Sequence, residues 1–378
     1  MFERDGYQVA RPEEIETPAL LVFEDRLAHN IKTVIDLAGG PANLIAHVKT
    51  HKSAEVLRRQ MAAGISRFKT ATLMETEMVA AAEGSQALLA YPLVSRIKID
   101  RFISLQKKYA RTRFQLIAAH PENAAVLSAA AVKNGVRLEV MVDLDVGHHR
   151  TGATIREAEA LYGRIATLPG LVPAGIHAYD GHVSDPDPAL RESKAASCLE
   201  QVQTLARRLE ARGLAVPFKV MGGSFTFSTY ARAEGVLASP GTWIYWDQNN
   251  LTRLPEMPFR PAALVMAQVI DMMPERGQVT LDLGSKAIST DMDRQERFCI
   301  LGAPRARLML QNEEHAVIAT EGHDLKLGEY VLAAPGHVCT TVFRYPGSWF
   351  INASGNVAGW NEHTARDRCR IDARVFSS

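Results

Sequence analysis

Eight short β-rich runs recur between amphipathic stretches in the first two-thirds of the chain, at 44–49, 65–72, 87–94, 114–119, 137–143, 172–179, 218–222 and 236–246. The segments between them carry apolar residues at helical spacing. In 189–212, for example, Leu190, Ala195, Leu199, Val202, Leu205 and Leu209 form one stripe. Strands that alternate with helices pair in parallel, because each helix returns the chain to the starting edge of the sheet. Eight such units over roughly 200 residues predict an α/β fold, a (β/α)8 TIM-like barrel, with any chemistry at the C-terminal ends of the strands.

Helical periodicity fades after Pro255-Glu256-Met257-Pro258. Short β-rich runs follow at 263–272, 278–283, 307–310, 316–320, 329–333, 338–343, 349–352 and 369–375. The expected domains are a barrel over 21–255 and a C-terminal β-rich domain over 256–378, joined by residues 1–20. Basic and acidic residues number 43 and 42, a net charge of +1, which argues against a nucleic-acid-binding surface. No apolar run reaches membrane-spanning length, and the N-terminus lacks a signal-peptide pattern. Cys198, Cys299, Cys339 and Cys369 lie far apart with no CxxC, which points to a reducing compartment and a cytoplasmic protein.

The first strand leads into His47-Val48-Lys49-Thr50-His51-Lys52. Lysine is costly to bury, and a desolvated amine is a good nucleophile for carbonyls, including the aldehyde of pyridoxal phosphate. Alone, Lys49 reads as a surface residue at a strand end; the flanking imidazoles and the place at the barrel mouth turn the reading toward chemistry. On an extended strand, Ile45, His47 and Lys49 share one face. Ser53 then caps a helix over 54–63, which Gly64 ends.

Other strand ends carry further candidates. After the fifth strand comes Asp145-Val146-Gly147-His148-His149-Arg150, where Arg150 can donate to a ring or carboxylate oxygen. After the sixth comes His177-Ala178-Tyr179-Asp180-Gly181-His182, where either His177 or His182 can take a proton near neutral pH. After the seventh comes Met221-Gly222-Gly223-Ser224, whose backbone N–H groups and hydroxyl suit a phosphate. Phe225, Phe227, Trp243, Tyr245 and Trp246 either shape a side-chain pocket or fill the core. In the β-rich domain, His337 and Cys339 stand at i and i+2 of an expected strand, so both reach one metal ion, and nitrogen plus thiolate favours Zn²⁺. The bland alternative is a buried cysteine beside a hydrogen-bonded histidine. Glu313, Glu314 and His315 can supply supporting carboxylates or a further imidazole.

Together these motifs resemble the metal-activated pyridoxal enzymes of the D-threonine aldolase and D-serine dehydratase family. The likeness runs over nearly the whole chain, from Glu16-Thr17-Pro18-Ala19-Leu20 through the motifs above, Ser239-Pro240-Gly241-Thr242 and Asp282-Leu283-Gly284-Ser285-Lys286, to His337 and Cys339. It implies the fold-type III, alanine-racemase-like barrel followed by a β domain. It implies a Schiff base on Lys49, Arg150 near the cofactor's phenolic oxygen, and Gly222, Gly223 and Ser224 on its phosphate. Tyr179 and Tyr245 join the cofactor-binding candidates. His337 and Cys339 would bind a divalent ion, Zn²⁺ or Mn²⁺ with Mg²⁺ a further option, next to the substrate's β-hydroxyl. A homodimer is implied as well.

The expected activity is retro-aldol cleavage of a D-3-hydroxy amino acid, D-threonine giving glycine and acetaldehyde, with His182 or His177 as base. The alternative is D-serine dehydratase-type β-elimination to pyruvate and ammonia. Cysteine at position 339 resembles the dehydratases, whereas the stretch 179–182 resembles the aldolases. An amino-acid racemase, a non-catalytic pyridoxal phosphate-binding protein and a barrel enzyme unrelated to pyridoxal are further alternatives.

Overall fold

The computed structural model describes residues 2–320, 322 and 324–368. The chain divides into two compact units. One comprises residues 34–241 with the segment from Thr364 onward; the other comprises residues up to Thr33 with Thr242–His363. The division thus falls between residues 241 and 242 rather than at 255.

The first unit is the barrel. Its strands, in order, are Ala46–His47, Arg67–Thr70, Gln86–Leu89, Arg113–Ala118, Leu138–Leu144, Leu171–Ala178, Phe218–Met221 and Val236–Ala238. Each pairs in parallel with the next. The ring closes where Leu44 bridges to Ala238, with the Ile45 N–H donating to the Ala238 carbonyl at 2.9 Å. The first strand stops at His47, so Lys49 lies in the turn that follows and not on the strand face expected for it. That turn closes on itself, with the Lys52 N–H donating to the Val48 carbonyl at 3.1 Å. Ser53 then caps the helix Ala54–Ala62, and Gly64 ends it at φ +95°.

Residues in register on neighbouring strands share a face, and here that face fills the lumen in layers. The waist is an apolar cluster of Ile45, Leu88, Ile117, Met141, Ala174, Val220 and Leu237. On one side of it lies a polar network. The Gln86 amide donates to Gln115, Gln115 donates to Glu139 at 2.8 Å, and Arg113 forms an ion pair with Glu139 at 2.7 Å. At the C-terminal ends of the strands, on the opposite side, the lumen holds His47 in register with Lys69, Asp143 in register with His177, and Ser239 just past the eighth strand.

The second unit is built on one sheet. Its long strand Ala263–Met273 pairs antiparallel with Ala19–Phe23, Gln278–Leu281 and Tyr330–Pro335. Ala19–Phe23 also pairs with Gly347–Ile351, which pairs with Val357–Glu362. Leu21, Phe23, Leu264, Met266, Leu332 and Ile351 pack in its core. The start of the helix Glu24–Leu37 belongs here, because the Asn30 amide donates to the Ile244 and Arg260 carbonyls at 3.2 and 2.7 Å. The run at 338–343, expected as a strand from its β-branched residues, is instead the short helix Val338–Val342. Capping overrides propensity there: the Asp247 carboxylate accepts from the Val338 N–H at 3.0 Å, and the Thr341 hydroxyl donates to the His337 carbonyl at 2.9 Å. The strand expected at 369–375 lies outside the described residues. Among the described residues no helix is long and apolar enough to cross a membrane.

The second lysine of the Lys49–Lys52 motif has a structural partner. Lys52, at φ +52°, forms an ion pair with Glu75, their side chains only 11% and 0% exposed. The second Glu75 oxygen accepts from the Ala71 N–H at 2.6 Å. Removing one member of such a pair strands the other charge in the interior. Lys52→Met should therefore destabilise the barrel by about 3–5 kcal/mol in urea unfolding, and Lys52→Met/Glu75→Leu should recover part of that loss.

Candidate active site

The mouth of the barrel is organised around the ring of Tyr179, at the end of the sixth strand. Lys69 Nζ lies 5.7 Å from its centroid and the Arg150 guanidinium 4.8 Å from it. The His148 ring meets it edge-on at 5.1 Å. Glycines crowd this region: a Cβ on Gly181 would sit 2.5 Å from the Tyr179 ring. A Cβ on Gly223 would sit 3.2 Å from the Tyr179 ring, and one on Gly222, at φ +80°, would be 2.5 Å from the Tyr230 ring. Asp180 braces the Gly222–Ser224 loop from below: it accepts from the Tyr230 hydroxyl and from Thr226 Oγ1, and Thr226 Oγ1 accepts from the Gly223 N–H. Ser224 Oγ accepts from the Gly241 N–H at 3.3 Å, tying the seventh and eighth strand loops together.

Lys49 is half-buried, and among the described residues its amine has no hydrogen bond or ion pair. Its charge nevertheless reaches the lumen, where it helps burial to hold the pKa of His47 well below the ordinary value. His177 is 3% exposed. Its Nδ1–H donates to Asp143 Oδ1 at 2.7 Å, and Thr151 Oγ1 donates to the other Asp143 oxygen at 2.7 Å. A carboxylate can only accept, so the proton sits on Nδ1 and Nε2 is a bare acceptor. Nε2 is buried with no hydrogen-bond partner, a costly arrangement unless a ligand donor meets it. Burial pushes the His177 pKa down, against the upward pull of Asp143.

His182 is exposed, its Nε2 3.0 Å from where a Gly147 Cβ would stand, and its ring stacks near His148 at 6.3 Å. Tyr245 is fully buried in the second unit, with Phe227, Trp243 and Trp246 also fully buried; Phe225 is half-buried.

The second unit brings His337 and Cys339 together, though as the cap and first turn of a helix. Burial lowers the His337 pKa, but the hydrogen bond and charge interaction with Cys339, together with Asp291 and Asp247, outweigh it and raise it to about 9. His337 Nδ1 is 2.6 Å from Asp291, which orients the ring. Among the described residues no group of three or more side chains able to hold a metal ion converges. Glu313 and Glu314 do not serve that role; both form ion pairs with Lys286. The sequence reading missed Asp291, which carries no local signal. It also missed Lys69, whose strand lacks the flanking imidazoles that single out Lys49.

The alanine racemase N-terminal domain model matches residues 22–249. The chain belongs to this family. A putative serine dehydratase domain matches residues 262–349. Among curated proteins, the chain is 28% identical to 3-hydroxy-D-aspartate aldolase of Paracoccus denitrificans, over 86% of this chain and 85% of that one. It is 26% identical to D-threo-3-hydroxyaspartate dehydratase of a Delftia species, over 92% and 97%. The crystal structure of D-threonine aldolase from Filomicrobium marinum superposes with a TM-score of 0.84 at 25% identity, covering 93% and 96% of the two chains. The alanine-racemase-like barrel followed by a β-rich unit is thus the fold of the family.

Both buried imidazoles have folded-state pKa values below the ordinary 6.5. The unfolded chain therefore binds more protons once the pH drops below that value, and stability should fall progressively from about pH 6.5 downward, as a decreasing Tm. In ¹⁵N NMR, His177 should be neutral with its proton on Nδ1 at pH 6.5. Asp143→Asn should abolish that tautomer preference.

Proposed function

We propose that this chain is a pyridoxal phosphate-dependent lyase that cleaves D-3-hydroxy amino acids by a retro-aldol reaction, D-threonine giving glycine and acetaldehyde. The observation that carries this reading is the uncommitted Lys49 amine at the mouth of a barrel that also carries a glycine loop, a buried acceptor and a cationic rim, groups suited to an anionic ring. The likeness to aldolases and dehydratases of D-3-hydroxy amino acids supports it.

The residues fit the cofactor on their own chemistry. Lys49 offers the free amine that its aldehyde needs, Arg150 has no acidic partner among the described residues, and the partnerless His177 Nε2 awaits a donor. Gly222, Gly223 and Ser224 would hold the phosphate, and Tyr179 would help to bind the cofactor. When bound, pyridoxal phosphate supplies the sink for the electron pair released at Cα. His177 Nε2, kept neutral and aimed by Asp143, accepts the proton of the substrate's β-hydroxyl; exposed His182 is the alternative base. His337 and Cys339 would hold a divalent ion, Zn²⁺ or Mn²⁺, whose role is to acidify that hydroxyl. Asp291 orients the His337 ring for it. A homodimer and a cytoplasmic location complete the reading. The location is supported by Cys198, Cys299 and Cys339 forming no disulfide among the described residues.

Cys339 favours a second reading. A thiolate ligand suits Zn²⁺, and a metal that turns the hydroxyl into a leaving group would give β-elimination, D-serine yielding pyruvate and ammonia. Incubation with pyridoxal phosphate, Zn²⁺ or Mn²⁺, and D-threonine or D-serine, followed by product NMR, separates the two. Glycine and acetaldehyde are expected; pyruvate or 2-oxobutyrate would replace the aldolase by the dehydratase. Lys49→Ala should lower turnover by about 10³-fold or more, and His337→Ala should leave activity that no longer responds to added metal. Unchanged turnover in Lys49→Ala would sink the scheme.

A further inference from the structure

Among the described residues, Lys69 of the barrel lumen is neutralised by no acid at close range. It stands on the second strand, in register with His47 and Leu88, and is 2% exposed. Its Nζ donates to Ser239 Oγ at 2.5 Å and lies 5.7 Å from the Tyr179 ring centroid. Ser239 is then fully committed, since its hydroxyl donates onward to the Met221 and Gly222 carbonyls at 3.0 and 2.8 Å. Among the described residues no carboxylate lies within the 4.0 Å of an ion pair with Nζ. The two acids that act on it through space are engaged elsewhere, Asp143 with His177 and Thr151, and Asp180 with Tyr230 and Thr226.

An ammonium carries three donors. One goes to Ser239, and the others meet at most the face of an aromatic ring. Buried lysines are ordinarily paired, as Lys52 is with Glu75 in the same unit. A cation left without a counter-charge in a desolvated layer is a binding group awaiting an anion.

We propose that Lys69 is the oxyanion-binding residue of the barrel mouth, its spare ammonium protons receiving a phosphate monoester or a carboxylate of the bound small molecule. The tie through Ser239 to the Gly222 carbonyl sets this cation beside the glycine loop. The proposal leans on the lyase reading only in that a phosphorylated cofactor and an amino acid carry these two groups.

Proton linkage makes it testable. Burial, then Lys49, pull the Lys69 pKa down to about 7, with Asp180 and Asp143 opposing and Arg150 assisting. His47 on the first strand and His177 on the sixth also face it, and both are held below their ordinary value, so they stay neutral above pH 7. An arriving anion must therefore draw a proton onto Lys69, and its affinity must fall as the pH rises from 7. The sign for folding follows from the same shift. The unfolded lysine, at 10.5, holds its proton where the folded one has lost it, so the burden of burying Lys69 is greatest below pH 7. Lys69→Met removes that burden and should fold at least as stably as the wild type.

The experiment is calorimetric titration of the full-length protein, stripped of cofactor, with sulfate and with acetate at pH 7 and pH 9. Neither anion titrates in that range. Wild type should bind at least one of them with net proton uptake, seen as a dependence of the heat on buffer ionisation enthalpy, and about tenfold or more weaker at pH 9. Lys69→Met should lose about tenfold or more in affinity together with the proton uptake, and Lys69→Arg should bind with affinity flat between the two pH values. Preference for sulfate assigns the phosphate monoester; preference for acetate assigns the carboxylate. Binding of neither anion, binding without proton uptake, or equal binding by Lys69→Met would overturn the proposal. None of these readouts involves turnover, so a failed lyase assay and a failed titration are separate results.

Discussion

A parallel barrel of eight strands closes only if its lumen is filled, and this constraint shapes everything at the mouth. The waist is sealed by an apolar side chain from nearly every strand, so the polar residues beyond it sit in a layer shielded from water on one side. In such a layer each donor or acceptor without a partner is expensive. Away from the mouth, the network from Gln86 through Gln115 and Glu139 to Arg113 is connected throughout. At the mouth, the spare protons of Lys69 and the Nε2 of His177 are left over. The same architecture therefore has one end built for stability and one end built to receive something.

The Tyr179 ring gives that receiving end its shape. It is held between Lys69, Arg150 and His148, and glycines at 181 and 223 leave it room. Asp180, the next residue, is 2% exposed and braces Tyr230 and Thr226. Burial raises its pKa, and the two hydroxyl donors oppose that rise, so their hydrogen bonds hold the carboxylate in place. Side chains of neighbouring residues thus do separate jobs: one forms a wall of the mouth, and the other fixes the loop that closes it.

Much of this was legible in the chain. The alternation of strands and helices predicted the barrel, and strand order put the Lys49 turn, the Tyr179 cluster and the Gly222–Ser224 loop at its mouth. Other readings reached a sound pairing by the wrong geometry. His337 and Cys339 do converge, but because His337 caps a helix and Cys339 lies in its first turn. β-Branched residues at 338–342 read as a strand, and only the distant Asp247 carboxylate, on the Val338 N–H, shows why the chain turns into a helix there. Lys49 and Lys69 looked unequal in the sequence, one inside a distinctive motif and the other in a plain strand.

What the sequence by itself determined is the inventory and its order: a lysine between imidazoles after the first strand, imidazoles after the sixth, a glycine loop after the seventh. Periodicity and turn residues are local, so local reading recovers them. What only the tertiary structure decided is which polar atoms are satisfied. Lys69 meets Ser239 across 170 residues of chain, and His177 meets Asp143 across 34. Those meetings depend on barrel closure and strand register, which no local pattern encodes. They separate a lysine that is already paired, Lys52, from two that remain open to a ligand, Lys49 and Lys69.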